Sequence, residues 1–228
     1  NFNYYTPTEI VFGNDSESKI GYLVRRYEGT KVLIHYGGKS AERSGLLNDI
    51  CRQLDAEGIL YVKLGGVVPN PRLSKVYEGI ELCRKEGVNH ILAIGGGSVI
   101  DSAKAIAYGL AYDGDVWDLF DGKAEAKACY PIGVVLTIPA AGSEMSNGCV
   151  ITNEVDSRKR AYNNDLARPK FAIMNPERTF SLSTYQTACG IVDIMMHTME
   201  RYFSQEDDMI LTDELAESLL RTVKNSAY

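Results

Sequence analysis

An α/β fold is predicted, with a parallel sheet and crossover helices in residues 1–182 and an all-helical part from 183 to 228. Three observations predict it. From Lys31 onward short β-rich apolar runs alternate with segments of helical periodicity, as strands and crossover helices do in sequence. The apolar runs close on glycine pairs or triplets, which end strands in tight turns. After Pro176 the strand patterns stop, and Thr184 to Asn225 reads as helix, so the boundary is placed between Ser181 and Thr184.

Taken in order, Glu9 to Phe12 forms an N-terminal strand. Lys31 to Tyr36 is a continuous apolar strand followed by Gly37-Gly38, and Leu46, Leu47, Ile50 and Leu54 then keep helical spacing up to a stop at Gly58. Leu60 to Leu64 is the next strand, closed by Gly65-Gly66 and the Pro69-Asn70-Pro71 turn. Val76, Ile80 and Cys83 mark the buried stripe of the helix after it. Ile91 to Ile94 runs into Gly95-Gly96-Gly97-Ser98, and a helix is expected to open near Ser98 with Asp101 in its first turn. Ile132 to Ile138 is a further strand, 150–173 holds a hairpin or excursion, and Phe171 to Met174 is the last short strand. Breaks in the helical part are expected at Gly190 and at Ser204-Gln205.

Composition narrows the function. The 228 residues are 45% hydrophobic and 24% charged, as in an ordinary globular protein. A formal net charge of -6 offers no basic footprint for nucleic acid. The longest uncharged stretch, Ala128 to Ser143, is too short for a membrane span and is interrupted by prolines and glycines. The opening Asn1-Phe2-Asn3-Tyr4-Tyr5 lacks the basic start of a signal peptide. Five cysteines, Cys51, Cys83, Cys129, Cys149 and Cys189, form no C-x-x-C pair and read as buried free thiols of a reducing cytoplasm.

Three motifs could carry chemistry. Gly95-Gly96-Gly97-Ser98 lies between a strand and a helix, where free N–H groups and the absence of side chains favour an anion such as a pyrophosphate. It does not complete G-x-G-x-x-G, and a tight structural turn accounts for it equally well. Asp193 and His197 stand four apart on one helical face, which makes either half of a metal site or a hydrogen-bonded surface pair. Thr137 to Glu144 follows a strand at its carboxyl end, where ligands bind in open parallel sheets, although a plain loop uses the same residue types. His35 and His90 sit in or beside strands and read as packed or capping residues.

These pieces in this order resemble the iron-containing alcohol dehydrogenase family, in its NADP-dependent butanol dehydrogenase branch. The likeness is carried by Phe12-Gly13, Tyr36-Gly37-Gly38, Gly65-Gly66 with Pro69-Asn70-Pro71, Gly95 to Ser98 with Asp101 and Lys104, Thr137 to Glu144, and Asp193 with His197. The resemblance implies a Rossmann-like nucleotide domain joined to a helical metal-binding domain of which only the start is present. It implies that Gly95, Gly96, Gly97 and Ser98 bind the pyrophosphate, that Asp101, Thr137, Ser146 and Lys159 line the nucleotide and nicotinamide pocket, and that Asn70 lies near the adenosine. Asp193 and His197 match the first two of four metal ligands, the family's set being one Asp and three His, with iron(II) usual and zinc an alternative. The resemblance further implies that such a metal would serve as a Lewis acid on the substrate oxygen in a hydride transfer with the nicotinamide.

Where NAD-using relatives place an Asp after the first Rossmann-like strand, this chain has Gly37-Gly38-Lys39-Ser40. No carboxylate repels a 2'-phosphate there and donors are supplied instead, which favours NADP. The chain departs from the family in having no histidine after His197 and in Ala140-Ala141, where many relatives carry threonines. The resulting expectation is a cytoplasmic homodimer, paired through Glu9 to Phe12, that acts on a small alcohol or aldehyde. Alternatives are an enzyme resembling glycerol dehydrogenase or dehydroquinate synthase, and an inactive nucleotide-binding fragment.

Overall fold

A computed structural model describes residues 4–204 and 208–227. The elements alternate from the start: β1 (Glu9–Phe12), α1 (Ile20–Arg26), β2 (Lys31–Tyr36), α2 (Ser40–Arg43), α3 (Leu46–Ala56), β3 (Leu60–Leu64), α4 (Leu73–Glu86), β4 (His90–Gly95) and α5 (Gly97–Leu110). They continue with α6 (Trp117–Phe120), β5 (Ile132–Leu136), β6 (Gly148–Asn153), β7 (Arg158–Asn163), β8 (Phe171–Met174), α7 (Thr184–Tyr202) and α8 (Ile210–Ser226). Six strands form one parallel sheet in the order β1-β8-β5-β4-β2-β3, and β6 and β7 form a separate antiparallel hairpin.

The continuous apolar runs end up in the middle of the sheet because helices cover both of its faces. Leu33, Ile91, Ala93 and Val134 point to one side, where they pack with Val76, Ile100 and Ile106 of α4 and α5. Val32, Ile34, Leu92 and Ile94 point to the other, against Ile20, Leu23, Ile50 and Leu54 of α1 and α3. Each fully buried aliphatic side chain of this kind stabilises by about 1.5–3 kcal/mol. The chain runs outward from β2 to β3, then returns across β2 to β4. Strand order therefore reverses between β2 and β4, which opens a crevice at their carboxyl ends.

Helix ends follow local chemistry. Gly58 and Gly87, at φ +64° and +67°, take the left-handed conformation that stops α3 and α4. Ser183 caps α7 by accepting from the Gln186 N–H (3.2 Å). Helix α5 opens at Gly97, one residue before the expected start, so Asp101 lies beyond the first turn. Strand β5 ends at Leu136 instead of Ile138, although the Thr137 N–H still donates to the Gly95 carbonyl (3.1 Å).

The break expected at Gly190 is absent, since α7 runs unbroken through it. A Cβ there would stand 3.0 Å from the Pro139 carbonyl oxygen, so the glycine serves a close approach of helix to loop. The second break falls after Tyr202 and leaves Ser204 outside the helix, while Gln205 lies outside the described residues. All five cysteines are free; Cys51, Cys83 and Cys149 are buried as expected, but Cys129 is only partly covered. Cys189 is exposed because it sits on the solvent-facing side of α7. No helix among the described residues is long and apolar enough to cross a membrane.

The buried polar groups are mostly paired. His35 is fully buried, its Nδ1 donates to the Leu64 carbonyl (3.0 Å), and its Nε2 accepts from the Ser102 hydroxyl (2.9 Å), so the neutral imidazole satisfies both partners. His90, also fully buried, stacks on Phe171 at 6.0 Å. Phe171 in turn covers Gly133 of β5, its partner in the sheet register.

Two outcomes follow. A Cβ at Gly133 would come within 2.1 Å of the Phe171 ring, which is buried and has no room to move. Gly133→Ala is expected to destabilise the fold by about 1–3 kcal/mol, read as a lower denaturant midpoint. Burial pushes both His35 and His90 down to about 4, so the folded state keeps them neutral while the unfolded chain protonates them near 6.5. Stability falls as pH drops from 6.5 towards 4, by up to about 3 kcal/mol per histidine, and urea midpoints at pH 7, 5.5 and 4.5 measure the loss.

Candidate functional site

Register places two glycine turns side by side. Tyr36 and Ile94 are partners in the β2–β4 ladder, so Gly37-Gly38 and Gly95-Gly96-Gly97 follow at the same level of the crevice, Gly95 as the last residue of β4. The turns are not interchangeable with bulkier ones. A Cβ at Gly96 would stand 2.3 Å from the Ile138 side chain, and one at Gly95 2.6 Å from Val99. At Gly38 and Gly97, by contrast, a Cβ would meet nothing within 4 Å, so open space lies over both turns. Helix α5 starts at Gly97 without a side-chain cap, and its leading N–H groups face that space with the positive end of the helix dipole. This cradle fits a pyrophosphate.

The other candidates for the nucleotide lie around this crevice in two groups. Ser40 and Thr137 line one cavity of about 420 Å3 at the carboxyl end of the sheet, together with Arg178 and Leu182 from the approach to α7. Lys39 is exposed beside them. Glu42, the first carboxylate after the turn, accepts from the Tyr36 hydroxyl (3.0 Å). Asn70 and Lys159 are brought together across 89 positions, the ammonium donating to the Asn70 side-chain oxygen at 2.8 Å. The hairpin that carries Lys159 is tied to the same turn by Thr152 N–H to Pro71 O (2.9 Å) and by Ser74 Oγ to Glu154 (2.6 Å).

Asp101 and Lys104 face away from the open turn and into the loop 140–148. The Asp101 carboxylate accepts from the Ser143 hydroxyl (2.7 Å) through one oxygen and from the Val150 N–H (3.0 Å) through the other. Burial raises its carboxyl above the usual range, against the pull of these donors and of Lys104. Lys104 is fully buried, and its Nζ donates to the carbonyls of Ser143, Ser146 and Gly148, each at 2.8 Å. Sequence reasoning gave Lys104 no role. The available signal was an Asp and a Lys three apart as the only charged residues of a mostly apolar and small-residue helix, where a charge must be paired if it is buried.

Helix α7 brings up the remaining candidates. Asp193 and His197 are half-buried on one face, the carboxylate oxygen 3.8 Å from His197 Nε2, and Glu200 lies 3.7 Å from Nδ1. His197 and Ser146 line one cavity of about 440 Å3 between α7 and the loop, with Gly142 and Arg168. Asp193 opens instead onto the outer face of the helix beside Cys189 and Met196. Among the described residues no three His, Cys, Asp or Glu side chains gather to hold a metal. Two donors are thus available, and they do not close a metal site by themselves.

Comparison with known proteins places this architecture. The family model described as iron-containing alcohol dehydrogenase matches residues 7–176. A probable NADH-dependent butanol dehydrogenase 2 of Bacillus subtilis (strain 168) is 43% identical over 227 residues, covering 100% of this chain and 58% of that protein. The NADPH-dependent aldehyde reductase YqhD of Escherichia coli (strain K12) is 37% identical over 227 residues, covering 98% of this chain and 57% of that protein. The crystal structure of an NADH-dependent butanol dehydrogenase A from Thermotoga maritima superposes with a TM-score of 0.96 at 42% identity, covering 100% of this chain and 57% of that one. The chain therefore spans less than three-fifths of the length of these relatives. With the parallel sheet, the paired glycine turns and the matched span in agreement, the chain belongs to the iron-containing alcohol dehydrogenase family.

Proposed function

We propose that this chain supplies the nucleotide-binding part, residues 1–182, and the start of the helical metal-binding part, 183–228, of an oxidoreductase. The reaction is hydride transfer between NADP(H) and a small alcohol or aldehyde. One observation carries the reading: the two open glycine turns meet where strand order reverses, with the uncapped start of α5 between them. The names of the relatives, butanol dehydrogenase and aldehyde reductase, support the substrate class.

Each residue has a stated task. The N–H groups of Gly97 and Ser98 hold the pyrophosphate, and Gly95 and Gly96 let α5 approach it. Gly37 and Gly38 leave room for the ribose, while Lys39 and Ser40 donate to a 2'-phosphate. Asn70, Thr137, Ser146 and Lys159 surround the rest of the dinucleotide, and Asp101 stands behind them. When bound, the nicotinamide supplies the hydride acceptor or donor. Asp193 and His197 would hold a divalent metal, iron(II) in preference to zinc, together with ligands from outside this chain. A second reading, NAD in place of NADP, is favoured by the NADH-dependent names of relatives at 42–44% identity.

The assembled enzyme is read as a homodimer in the cytoplasm. Strand β1 is an edge of the sheet, with Phe12 73% exposed, and presents a row of unpaired backbone groups to a second copy. The free thiols suit a reducing compartment.

The decisive measurement is titration of the purified protein with NADPH and NADH, followed by turnover with butanal. Absence of binding by either nucleotide would overturn the reading. Gly38→Asp is expected to weaken NADPH binding by about tenfold or more while leaving NADH within about threefold, because a carboxylate repels the 2'-phosphate and accepts from a 2'-hydroxyl. Equal losses for the two nucleotides would remove this turn from the choice of cofactor. Asp193→Asn and His197→Ala are expected to lower bound metal and kcat by about tenfold or more with nucleotide affinity kept. Full turnover in metal-depleted protein would take the metal out of the proposal.

A further inference from the structure

We propose that Asp101 and Lys104 are positioning residues that clamp the loop 143–147 and the start of β6 onto α5, so that the phosphate turn and the loop carrying Ser146 move as one body. The assignment rests on reading the start of α5 as the pyrophosphate site. Its geometry does not depend on that reading.

Stoichiometry makes the case. An ammonium has three N–H donors, and three loop carbonyls, those of Ser143, Ser146 and Gly148, stand 2.8 Å from Nζ. Ser143 and Ser146 lie in the loop before β6 and Gly148 opens β6 level with Asn163 of β7, so removing the donor takes a charged partner from one buried and two half-buried carbonyls. Asp101, one turn earlier on the same helix, accepts from Ser143 Oγ and from the Val150 N–H and so grips both ends of the same segment. A charge-bearing pair in a helix with Val99, Ile100, Ala103 and Ala105–Gly109 buried is otherwise hard to account for, because desolvation of the ammonium opposes folding. The loop so held also forms the wall of the cavity that contains His197.

Protonation is part of the clamp. Burial pushes the Lys104 ammonium down to about 8, opposed by Asp101 on its own helix, Glu144 on the loop and Cys149 on β6, and aided by Arg168. The neutral amine has two donors for three carbonyls, so one contact is lost as pH rises through 8.

Hydrogen exchange of the wild type and Lys104→Met, with and without NADPH, tests the clamp. The expected result is exchange of amides 143–148 faster by about tenfold or more in the variant, with β4 and β5 protection retained. NADPH Kd rises by a similar factor, and the Kd for ADP, which lacks the nicotinamide half, changes less than about threefold. Unchanged loop exchange, or a uniform rise throughout the sheet, would overturn the proposal. If the variant does not fold, wild-type exchange corrected for intrinsic rate decides: loss of loop protection above pH 8 with the strands unaffected supports the clamp, and a flat profile sinks it. Failure of the wild type to bind NADPH or NADH defeats the cofactor reading alone, because the exchange pattern still answers for Asp101 and Lys104.

Discussion

The in-register pairing of β2 with β4 is the constraint on which the rest depends. These two strands are distant in sequence and buried on both faces, and their ladder sets where the chain may turn. Because Tyr36 and Ile94 are level, the glycines that follow them are level too, and α5 begins in the space they leave. A slip of β2 by one residue would turn Leu33 into the opposite layer, away from Ile91 and Ala93, and set the turns out of level. Packing and cradle are therefore held by the same hydrogen bonds.

From this centre the crevice is furnished by elements that are tied down elsewhere. The hairpin β6–β7 has no place in the main sheet, yet it is fastened to the Pro69-Asn70-Pro71 turn at Pro71 and Ser74 as well as at Asn70 itself. The loop 140–148 is fastened from below by α5 and touched from above by α7. Residues far apart in sequence thus reach one crevice without forming a continuous motif.

Much of the architecture was legible from periodicity alone. Continuous apolar runs such as Lys31 to Tyr36 and glycine stops such as Gly58 identify central strands and helix ends, because solvent exclusion and left-handed backbone geometry leave few other residue choices. Where the structure departs from the sequence reading, local propensity misleads because the residue's role is tertiary. Gly190 reads as a helix breaker until Pro139 is seen against it. Asp101 reads as a helix-terminal acid until Ser143 and Val150 are found to use both its oxygens. Spacing put Asp193 and His197 on one helix face and they lie there, but spacing does not disclose that His197 shares a cavity with Ser146 while Asp193 opens outward.

The contact between Gly190 and Pro139 couples the choice of residue on α7 to the backbone of the loop. A methyl group at position 190 needs the oxygen opposite it to give way slightly, and that oxygen lies four residues before Ser143, where the grip of α5 begins. Any side chain at this one position is therefore accompanied by a small retreat of the loop backbone opposite it.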